Sequence, residues 1–279
     1  MRLVPLLLSL LPLMAMGNAQ ASESVQFRSA AVPPTAFKVR LAKERGETVV
    51  PEPTTELSGE LFRPPGEGPF PAIVWLHDCL GHLLDDEQRL AEHFASQYVV
   101  LFVDSFGPRG RQRGCTRDSI TAYPLVDAVG ALDYLAAKPF VRPDRIAVIG
   151  TYQAGATALM SVRRSFFEHL TKNRFAAAIA YYPADCFSAV FVAPTLVLVG
   201  ERDELTPAKY CRQMIAYQET LTGIVSRLAV YPGAYHWFNQ RRIADKPEMY
   251  LDHRMEYDAA ADQAALQDIT RFLREHVGR

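Results

Sequence analysis

Short apolar runs alternate with amphipathic stretches along most of this chain. Residues 72–77, 98–104 and 145–149 are almost entirely apolar, which is typical of strands buried on both faces of a sheet. In residues 85–97 and 124–137, apolar side chains recur at the three- to four-residue spacing of one helix face. Strands that alternate with helices predict right-handed βαβ units, and therefore an α/β fold with a mostly parallel sheet flanked by helices.

Elements of the same kinds are predicted before and after these runs. The predicted strands are 37–41, 57–62, 72–77, 98–104, 145–149, 176–182, 195–199 and 224–231. The predicted helices are 85–97, 124–137, 156–170, one that begins near Pro207 with Thr206 as its N-cap, and 259–276. Residues 22–35 are small, polar and proline-containing, which predicts a loose leader ahead of a single domain over residues 36–279.

The first 21 residues have the pattern of a secretory signal peptide. Arg2 supplies the positive charge, residues 6–13 form the apolar core, and residues 19–21 read Ala-Gln-Ala, a cleavage site. A membrane anchor is the alternative, but this core is shorter than the roughly 20 residues that a spanning helix needs. We therefore predict an exported protein, periplasmic or secreted, that has no membrane segment after cleavage.

The balance of charges bears on the partners that can be expected. The chain has 30 Lys and Arg against 31 Asp and Glu, a net charge of −1, and no patch of basic residues. Nucleic-acid binding depends on concentrated positive charge, so no nucleic-acid partner is predicted.

The four cysteines, Cys79, Cys115, Cys186 and Cys211, all follow the predicted signal peptide. An even number in an exported protein favours disulfides, and four cysteines allow three pairings. Pairs Cys79–Cys115 and Cys186–Cys211 are favoured, because each joins segments that follow neighbouring predicted strands at the same end of the sheet. Free buried thiols are the alternative.

One predicted strand-to-helix junction has the pattern of a nucleophile elbow. The run at 145–149 is followed by Gly150-Thr151-Tyr152-Gln153-Ala154-Gly155, which fits Gly-x-(nucleophile)-x-(small)-Gly. The sharp turn of this motif presents the side chain at its centre to a substrate. That position usually holds Ser or Cys, and here it holds Tyr152.

The two partners that such a nucleophile needs follow in the expected order. Asp203 comes after the predicted strand 195–199, and His236 comes after 224–231. An imidazole that takes a proton and a carboxylate that orients it complete a catalytic triad. Taken singly, Asp203 could be an ordinary loop carboxylate and His236 a structural histidine. Their order and their positions after strands predict a triad with an altered first member.

Two further site roles are predicted from position. An oxyanion hole would use the backbone N–H of Gln153, which follows the nucleophile position, and that of Cys79, in the loop after strand 72–77. Arg109 lies on a loop predicted at the same end of the sheet and could bind an anionic group of a substrate. A solvated loop arginine is an equal alternative for Arg109.

From about Glu60 to its C-terminus, the chain resembles the dienelactone hydrolase family, in particular its exported branch. The matching segments are 76–81 (LHDCLG), 104–110 (DSFGPRG), 182–186 (YPADC), 200–207 (GERDELTP) and 231–236 (YPGAYH). The resemblance implies an α/β-hydrolase fold, hydrolysis of small esters or lactones, no cofactor, and a Ser or Cys nucleophile with Asp and His. Asp203 and His236 match the family's acid and base. Asp78 falls where the family carries an acidic residue near the nucleophile. No metal site is predicted.

Tyr152 is the departure from that pattern. A phenol oxygen lies several Å further from the backbone than a serine oxygen, and a phenol with a pKa of about 10 is protonated at neutral pH. Three hypotheses follow. The protein has lost acyl-enzyme chemistry and binds a ligand, or it is an enzyme that uses Tyr152 or a water activated by His236, or it is a scaffold. The scaffold is least favoured, because a scaffold has no need for Asp203 and His236.

Overall fold

The computed structural model describes residues 22–49, 53–81, 84–112, 123–164, 170–186 and 190–278. Within these ranges, a sheet of eight strands forms the centre of the molecule. Its strands are β1 (Glu23–Arg28), β2 (Glu56–Phe62), β3 (Phe70–Leu76), β4 (Val99–Asp104), β5 (Val141–Thr151), β6 (Ala177–Tyr181), β7 (Thr195–Gly200) and β8 (Ser226–Tyr231). The predicted signal peptide, residues 1–21, lies outside the described residues.

The strands are ordered β1-β2-β4-β3-β5-β6-β7-β8 across the sheet. Strand β2 is antiparallel to both of its neighbours, and all pairings from β4 to β8 are parallel. This confirms the predicted α/β class and the mostly parallel sheet. The near-continuous apolar runs arise because β3 to β7 are covered on both faces.

The helices and a small hairpin surround this sheet. The helices are α1 (Ala36–Arg45), α2 (Leu84–Phe94), α3 (Tyr123–Ala136), α4 (Gln153–Met160), α5 (Ala208–Leu221) and α6 (Ala259–His276). Short 3₁₀ turns lie at Gly107–Arg109 and Arg241–Ile243, and strands β9 (Glu248–Tyr250) and β10 (His253–Met255) form the hairpin.

Two apolar layers hold the helices onto the sheet. Along β3, Val74 and Leu76 face the layer that contains α3, α4 and α5, while Ile73 and Trp75 face the layer that contains α2 and α6. This alternation is the two-residue period of a strand, applied to a strand that is buried on both sides. Residues at the strand ends are therefore the ones that reach solvent and can form a site.

The structure corrects two predictions near the N-terminus. Residues 22–35 were predicted to be a loose leader, yet Glu23–Arg28 is β1, an edge strand on which Val25 and Phe27 are buried against the sheet. Residues 37–41 were predicted to be a strand, yet they lie in α1. Helix α1 is capped by Thr35, whose Oγ1 accepts a hydrogen bond from the backbone N–H of Lys38 at 3.2 Å.

Two helix boundaries also differ from prediction. Helix α4 ends at Met160 rather than at 170, and residues 165–169 lie outside the described residues. Helix α5 begins at Ala208 as predicted, but Thr206 does not cap it. The Thr206 side chain instead donates a hydrogen bond to Asp203. The other predicted strands and helices are confirmed with shifts of a few residues at their ends.

In the part of the chain that the structure describes, no helix combines the length and the apolar character needed to cross a membrane.

The junction between β5 and α4 is too tight for side chains at two of its positions. A Cβ at Gly150 would collide with the carbonyl oxygen of Ala154, and a Cβ at Gly155 would lie 2.9 Å from the carbonyl oxygen of Tyr181. Both obstacles are backbone atoms of packed elements, so they cannot move aside as a flexible side chain would. The two glycines therefore allow the strand to turn directly into the helix.

We expect Gly150→Ala to lower the free energy of unfolding by about 1–3 kcal/mol, because the added methyl overpacks this junction. Guanidinium denaturation of the purified protein measures the change. Gly223→Ala is the matched control, since an added Cβ there meets nothing within 4 Å. The control is expected to change stability by less than about 0.5 kcal/mol. Equal stability of the two variants would contradict this account of the turn.

Candidate active site

The candidate site lies at the carboxyl edge of the parallel strands. Cys79 follows β3, Tyr152 follows β5, Asp203 follows β7 and His236 follows β8. Parallel strands all end at the same edge of a sheet, which is where α/β folds place ligand-binding residues. The topology therefore brings to one edge the residues that the sequence predicts for the site.

Tyr152 has the strained backbone of a nucleophile elbow. Its φ of 51° and ψ of −109° lie outside the regions that L-residues normally adopt. Three hydrogen bonds hold it there. Its N–H donates to the carbonyl of Tyr181 at 3.0 Å, and its carbonyl accepts from the N–H groups of Ala156 at 3.1 Å and Ala184 at 2.8 Å. The conformation is thus imposed by the neighbouring backbone and directs the side chain away from the sheet.

Asp203 and His236 form a buried hydrogen-bonded pair. Nδ1 of His236 lies 2.7 Å from Oδ2 of Asp203, and both side chains are almost completely buried. Thr206 binds the same carboxylate twice: its N–H donates to Oδ1 and its hydroxyl to Oδ2, each at 2.7 Å. With the carboxylate fixed in this way, the proton on the imidazole is held at Nδ1 and Nε2 is left as the acceptor.

Nε2 of His236 is the atom that would accept a proton from a nucleophile. Among the described residues it is buried and has no hydrogen-bond partner. The ring of Tyr152 stands edge-on to the imidazole, with the two ring centroids 5.3 Å apart and the planes at 89°. The contact between these two residues is therefore a packing contact, and the Tyr152 hydroxyl does not bind Nε2.

Tyr152 is half-buried, and its phenol is hard to ionise. Burial, with smaller contributions from the neighbouring Tyr250, Asp203 and Asp78, raises the pKa of Tyr152 to about 12. At neutral pH the residue is a neutral phenol that packs against the imidazole.

Three aromatic residues complete the surroundings of His236 and were not predicted from sequence. The ring of Tyr182 lies 4.3 Å from the imidazole, and its hydroxyl donates to Asn239 at 2.6 Å. Trp237 stacks on Tyr250 at 5.5 Å, and Tyr250 meets Tyr152 at right angles at 6.3 Å. Tyr250 comes from the β9–β10 hairpin, which carries no motif, so nothing in the sequence indicated it.

Asp78 lies at the start of the loop after β3 and is buried. Its Oδ1 accepts a hydrogen bond from the N–H of Leu80 at 2.7 Å, while within the described residues Oδ2 has no partner. Burial raises the pKa of Asp78 to about 6, against the lowering effects of the Leu80 N–H and of Arg242. Its carboxyl is therefore a second titratable group close to Tyr152.

The residues predicted for the oxyanion hole, Gln153 and Cys79, both follow parallel strands of the sheet. Gln153 is the first residue of α4, so its N–H has no carbonyl partner within the helix. Cys79 is buried in the loop after β3, and its Sγ lies 4.0 Å from the hydroxyl of Tyr250. Both are at the correct edge of the sheet, and their role as oxyanion donors stays a prediction.

Arg109 is held by a carboxylate of the protein. Its two terminal nitrogens bind the two oxygens of the buried Asp127 at 2.8 and 2.9 Å, and one of them also binds the carbonyl of Ser105 at 2.7 Å. This bidentate ion pair connects the loop after β4 to α3, so Arg109 has a structural role. Its predicted contact with a substrate stays a prediction.

One predicted disulfide is confirmed. Cys186, after β6, is bonded to Cys211 on α5, so the bridge encloses β7 and the turn that carries Asp203. Cys79 is also in a disulfide, and its predicted partner, Cys115, lies outside the described residues. No group of three or more His, Cys, Asp or Glu side chains suited to a metal ion occurs in the part of the chain that the structure describes.

Solved structures of known hydrolases share this fold. A dienelactone hydrolase-like promiscuous phosphotriesterase, P91, from metagenomic libraries covers 92% of this chain and 100% of its own, with a TM-score of 0.65 and 18% identity. Esterase 2 of Thermogutta terrifontis with bound propionate covers 79% of this chain and 89% of its own, with a TM-score of 0.62 and 19% identity. These likenesses establish the α/β-hydrolase fold.

Sequence comparison identifies the family. YtaP of Bacillus subtilis (strain 168) is named as a hydrolase, and it is 27% identical to this chain over 231 residues. The alignment covers 63% of this chain and 77% of YtaP. The model of the dienelactone hydrolase family matches residues 57–277, a span that runs from β2 to the end of α6. The chain therefore belongs to the dienelactone hydrolase family.

Proposed function

We propose that this protein is an exported dienelactone hydrolase homologue whose site takes small esters or lactones, and in which Tyr152 leaves acyl-enzyme chemistry weak or absent. The observation that carries the proposal is the state of His236. Its Nε2 is buried and unbonded among the described residues, although Asp203 and Thr206 hold the pair in place. The imidazole is therefore oriented to act as a base, but no nucleophile is hydrogen-bonded to its Nε2.

Acyl transfer requires the nucleophile to give its proton to Nε2 as it attacks a carbonyl carbon. The Tyr152 phenol is not hydrogen-bonded to Nε2, and its raised pKa of about 12 opposes loss of the proton. A phenol oxygen also stands several Å further from the backbone than a serine oxygen, so it is expected to extend past an oxyanion bound by the N–H groups of Gln153 and Cys79. Each of these three effects disfavours Tyr152 as a nucleophile.

The activities for which similar proteins are named support esters as the ligand class. The Thermogutta terrifontis protein is named an esterase and was solved with bound propionate, and P91 is named a promiscuous phosphotriesterase. Export is supported by the Cys186–Cys211 disulfide, because disulfides persist in oxidising compartments outside the cytosol.

Hydrolysis by a water that His236 activates is a second candidate function. The observation that favours it is the same free Nε2, with Nδ1 already held by Asp203 at 2.7 Å. A water bound there would give its proton to Nε2 and attack the ester directly, without a covalent intermediate. The slow rate expected of such a route fits the weak activity proposed.

We expect Tyr152→Ser and Tyr152→Cys to raise the hydrolysis of p-nitrophenyl acetate by roughly 10²-fold or more, since the loss of a triad nucleophile costs about 10⁶ in kcat. The release of p-nitrophenol measures this directly. Tyr152→Ala is the matched control, because it removes the phenol and supplies no nucleophile. Adding His236→Ala to the Ser variant should abolish the gain. A folded Ser variant without any gain, beside a wild type that turns over the ester well, would refute the proposal.

Residual hydrolysis by the wild type is expected to need His236 and not the Tyr152 hydroxyl. His236→Ala should therefore reduce turnover of p-nitrophenyl acetate to background, while Tyr152→Phe keeps it within about twofold of wild type, since the hydroxyl takes no part in a water route. Equal loss in both variants would instead identify Tyr152 as a catalytic residue and contradict the weak-nucleophile account.

The ionisation of Asp78 should be visible in stability. Its carboxyl has a pKa of about 6 in the folded protein against 3.8 for a free side chain, so ionisation destabilises the fold as the pH rises from about 4 to above 6. At about 1.4 kcal/mol per pKa unit, the cost reaches about 3 kcal/mol at pH 7.5. Thermal unfolding at pH 4 and pH 7.5 measures this effect. We expect the stability of Asp78→Asn relative to the wild type to be greater at pH 7.5 than at pH 4. A difference between the two proteins that is the same at both pH values would contradict this.

A further inference from the structure

The side chain of His77 joins the loop after β3 to the loop after β4. Its Nδ1 lies 2.7 Å from the carbonyl oxygen of Asp78, and its Nε2 lies 3.0 Å from the backbone nitrogen of Ser105. The ring also packs on Phe106, with the two ring centroids 4.6 Å apart, and only 6% of the side chain is exposed. His77 therefore links two loops at the carboxyl edge of the sheet, where the candidate site lies.

The two backbone partners of His77 fix its tautomer. The N–H of Ser105 can only donate a hydrogen bond, so Nε2 accepts it and carries no proton. The carbonyl of Asp78 can only accept, so the proton of the ring lies on Nδ1 and is donated to that carbonyl. Each ring nitrogen thus has one role, and both roles serve to hold the backbone.

The turn that carries the Asp78 carbonyl is held from other directions as well. The N–H of Gly81 donates to the same carbonyl at 3.2 Å, and the N–H of Leu80 donates to Oδ1 of Asp78 at 2.7 Å. Gly81 has a φ of 85°, and an added Cβ there would collide with the carbonyl oxygen of Gln112, in the loop after β4. The turn is therefore packed closely against that loop, and the carbonyl has a fixed direction.

The direction of the Asp78 carbonyl determines the direction of the Cys79 N–H. The two groups belong to one peptide unit, and in a planar trans peptide they point in opposite directions. The order of the sheet places β3 between β4 and β5. The imidazole that binds the carbonyl is itself bound to Ser105, which follows β4, whereas Tyr152 follows β5 on the opposite side of β3.

Resting on the proposed function, we infer that His77 is a positioning residue for the oxyanion hole. It holds the Asp78 carbonyl toward the β4 side, and it thereby directs the Cys79 N–H toward the β5 side, where a carbonyl group reacting beside position 152 would lie. His77 itself touches no substrate and acts only through this peptide.

The chemistry of acyl transfer explains why this peptide has to be held. Negative charge develops on the carbonyl oxygen of the ester only as the nucleophile attacks, and donors that already point at that oxygen stabilise the transition state. The Gln153 N–H is directed by α4, because Gln153 is the first residue of that helix. The Cys79 N–H belongs to a loop, so its direction depends on the side chain of His77.

The first test measures the protonation of His77 in the wild-type protein. Long-range ¹H–¹⁵N NMR spectra of ¹⁵N-labelled protein at pH 7.5 distinguish a protonated ring nitrogen from a bare one, and the signals of this ring are identified by their loss in His77→Gln. We expect the proton on Nδ1 and none on Nε2. A proton on Nε2, alone or together with one on Nδ1, would overturn the inference, because the ring could not then accept the Ser105 N–H.

The second test measures hydrolysis of p-nitrophenyl acetate by the Tyr152→Ser protein. Adding His77→Leu, which can form neither bond, should lower kcat by about 10²-fold and leave KM within about twofold, as the loss of one oxyanion donor predicts. His77→Gln has both a donor and an acceptor in its amide, so it should keep kcat within about fivefold of the parent. Equal kcat in the Leu and Gln variants, or a loss confined to KM, would overturn the inference.

His93→Leu in the same protein is the matched control. His93 also connects two elements, since its Nε2 on α2 lies 2.9 Å from Oγ1 of Thr270 on α6, but it is not bonded to the loop after β3. Its replacement should leave kcat and KM unchanged, and a loss of kcat as large as that of His77→Leu would contradict a specific role for His77. Circular dichroism checks that each variant is folded. If His77→Leu does not fold, the tautomer in the wild type decides the inference.

The two proposals fail in different ways. A Tyr152→Ser protein without esterase activity would overturn the proposed function, and the tautomer of His77 in the wild type would still decide whether this ring holds the Asp78 carbonyl. An active Tyr152→Ser protein whose kcat does not respond to His77→Leu would overturn the inference and leave the account of Tyr152 untouched.

Discussion

The direct turn from β5 into α4 is the constraint on which the rest of the candidate site depends. Gly150 and Gly155 let the backbone pass close to the carbonyls of Ala154 and Tyr181, and the three backbone hydrogen bonds of Tyr152 hold its φ at 51°. None of these contacts involves the side chain at position 152. The turn would therefore present any side chain at this position to His236, and the chemistry of that residue is separate from the geometry that displays it.

The Asp203–His236 pair is similarly independent of Tyr152. Asp203 receives two hydrogen bonds from Thr206 in addition to the imidazole, and the pair is buried beneath Tyr182 and Tyr152. A buried carboxylate is costly unless its oxygens are bonded, and here the loop after β7 supplies the bonds. The pair keeps its geometry with a phenol in the nucleophile position, because its support comes from its own loop.

The sequence predicted correctly those strands and helices whose apolar residues recur in a regular pattern. Strands β3 to β7 are buried on both faces, so their apolar runs were visible, and the Gly-rich turn, Asp203 and His236 stood at recognisable positions after strands. The edge strand β1 was missed because only Val25 and Phe27 mark it within a polar segment. Residues 37–41 have the alternation of a strand, yet Phe37 and Val39 are exposed on a capped helix, so the pattern did not reflect burial.

The aromatic surroundings of the site were beyond prediction for a different reason. Tyr250 comes close to Tyr152 only through the pairing of the hairpin with the His236 loop, a long-range contact with no local signal. The bond of Arg109 with Asp127 is likewise a contact between distant segments, and it gave a structural partner to a residue that position alone had suggested for a ligand.

The independence of the turn from its central side chain has an evolutionary consequence. In the genetic code, the codons of tyrosine differ from codons of serine and of cysteine by a single base. Since the elbow and the Asp203–His236 pair are maintained by other residues, one base substitution would exchange a phenol for a hydroxymethyl or a thiol on an unchanged scaffold. A phenol and a hydroxymethyl or thiol group at position 152 are thus separated by one mutational step, and the backbone that displays the side chain would not have to refold.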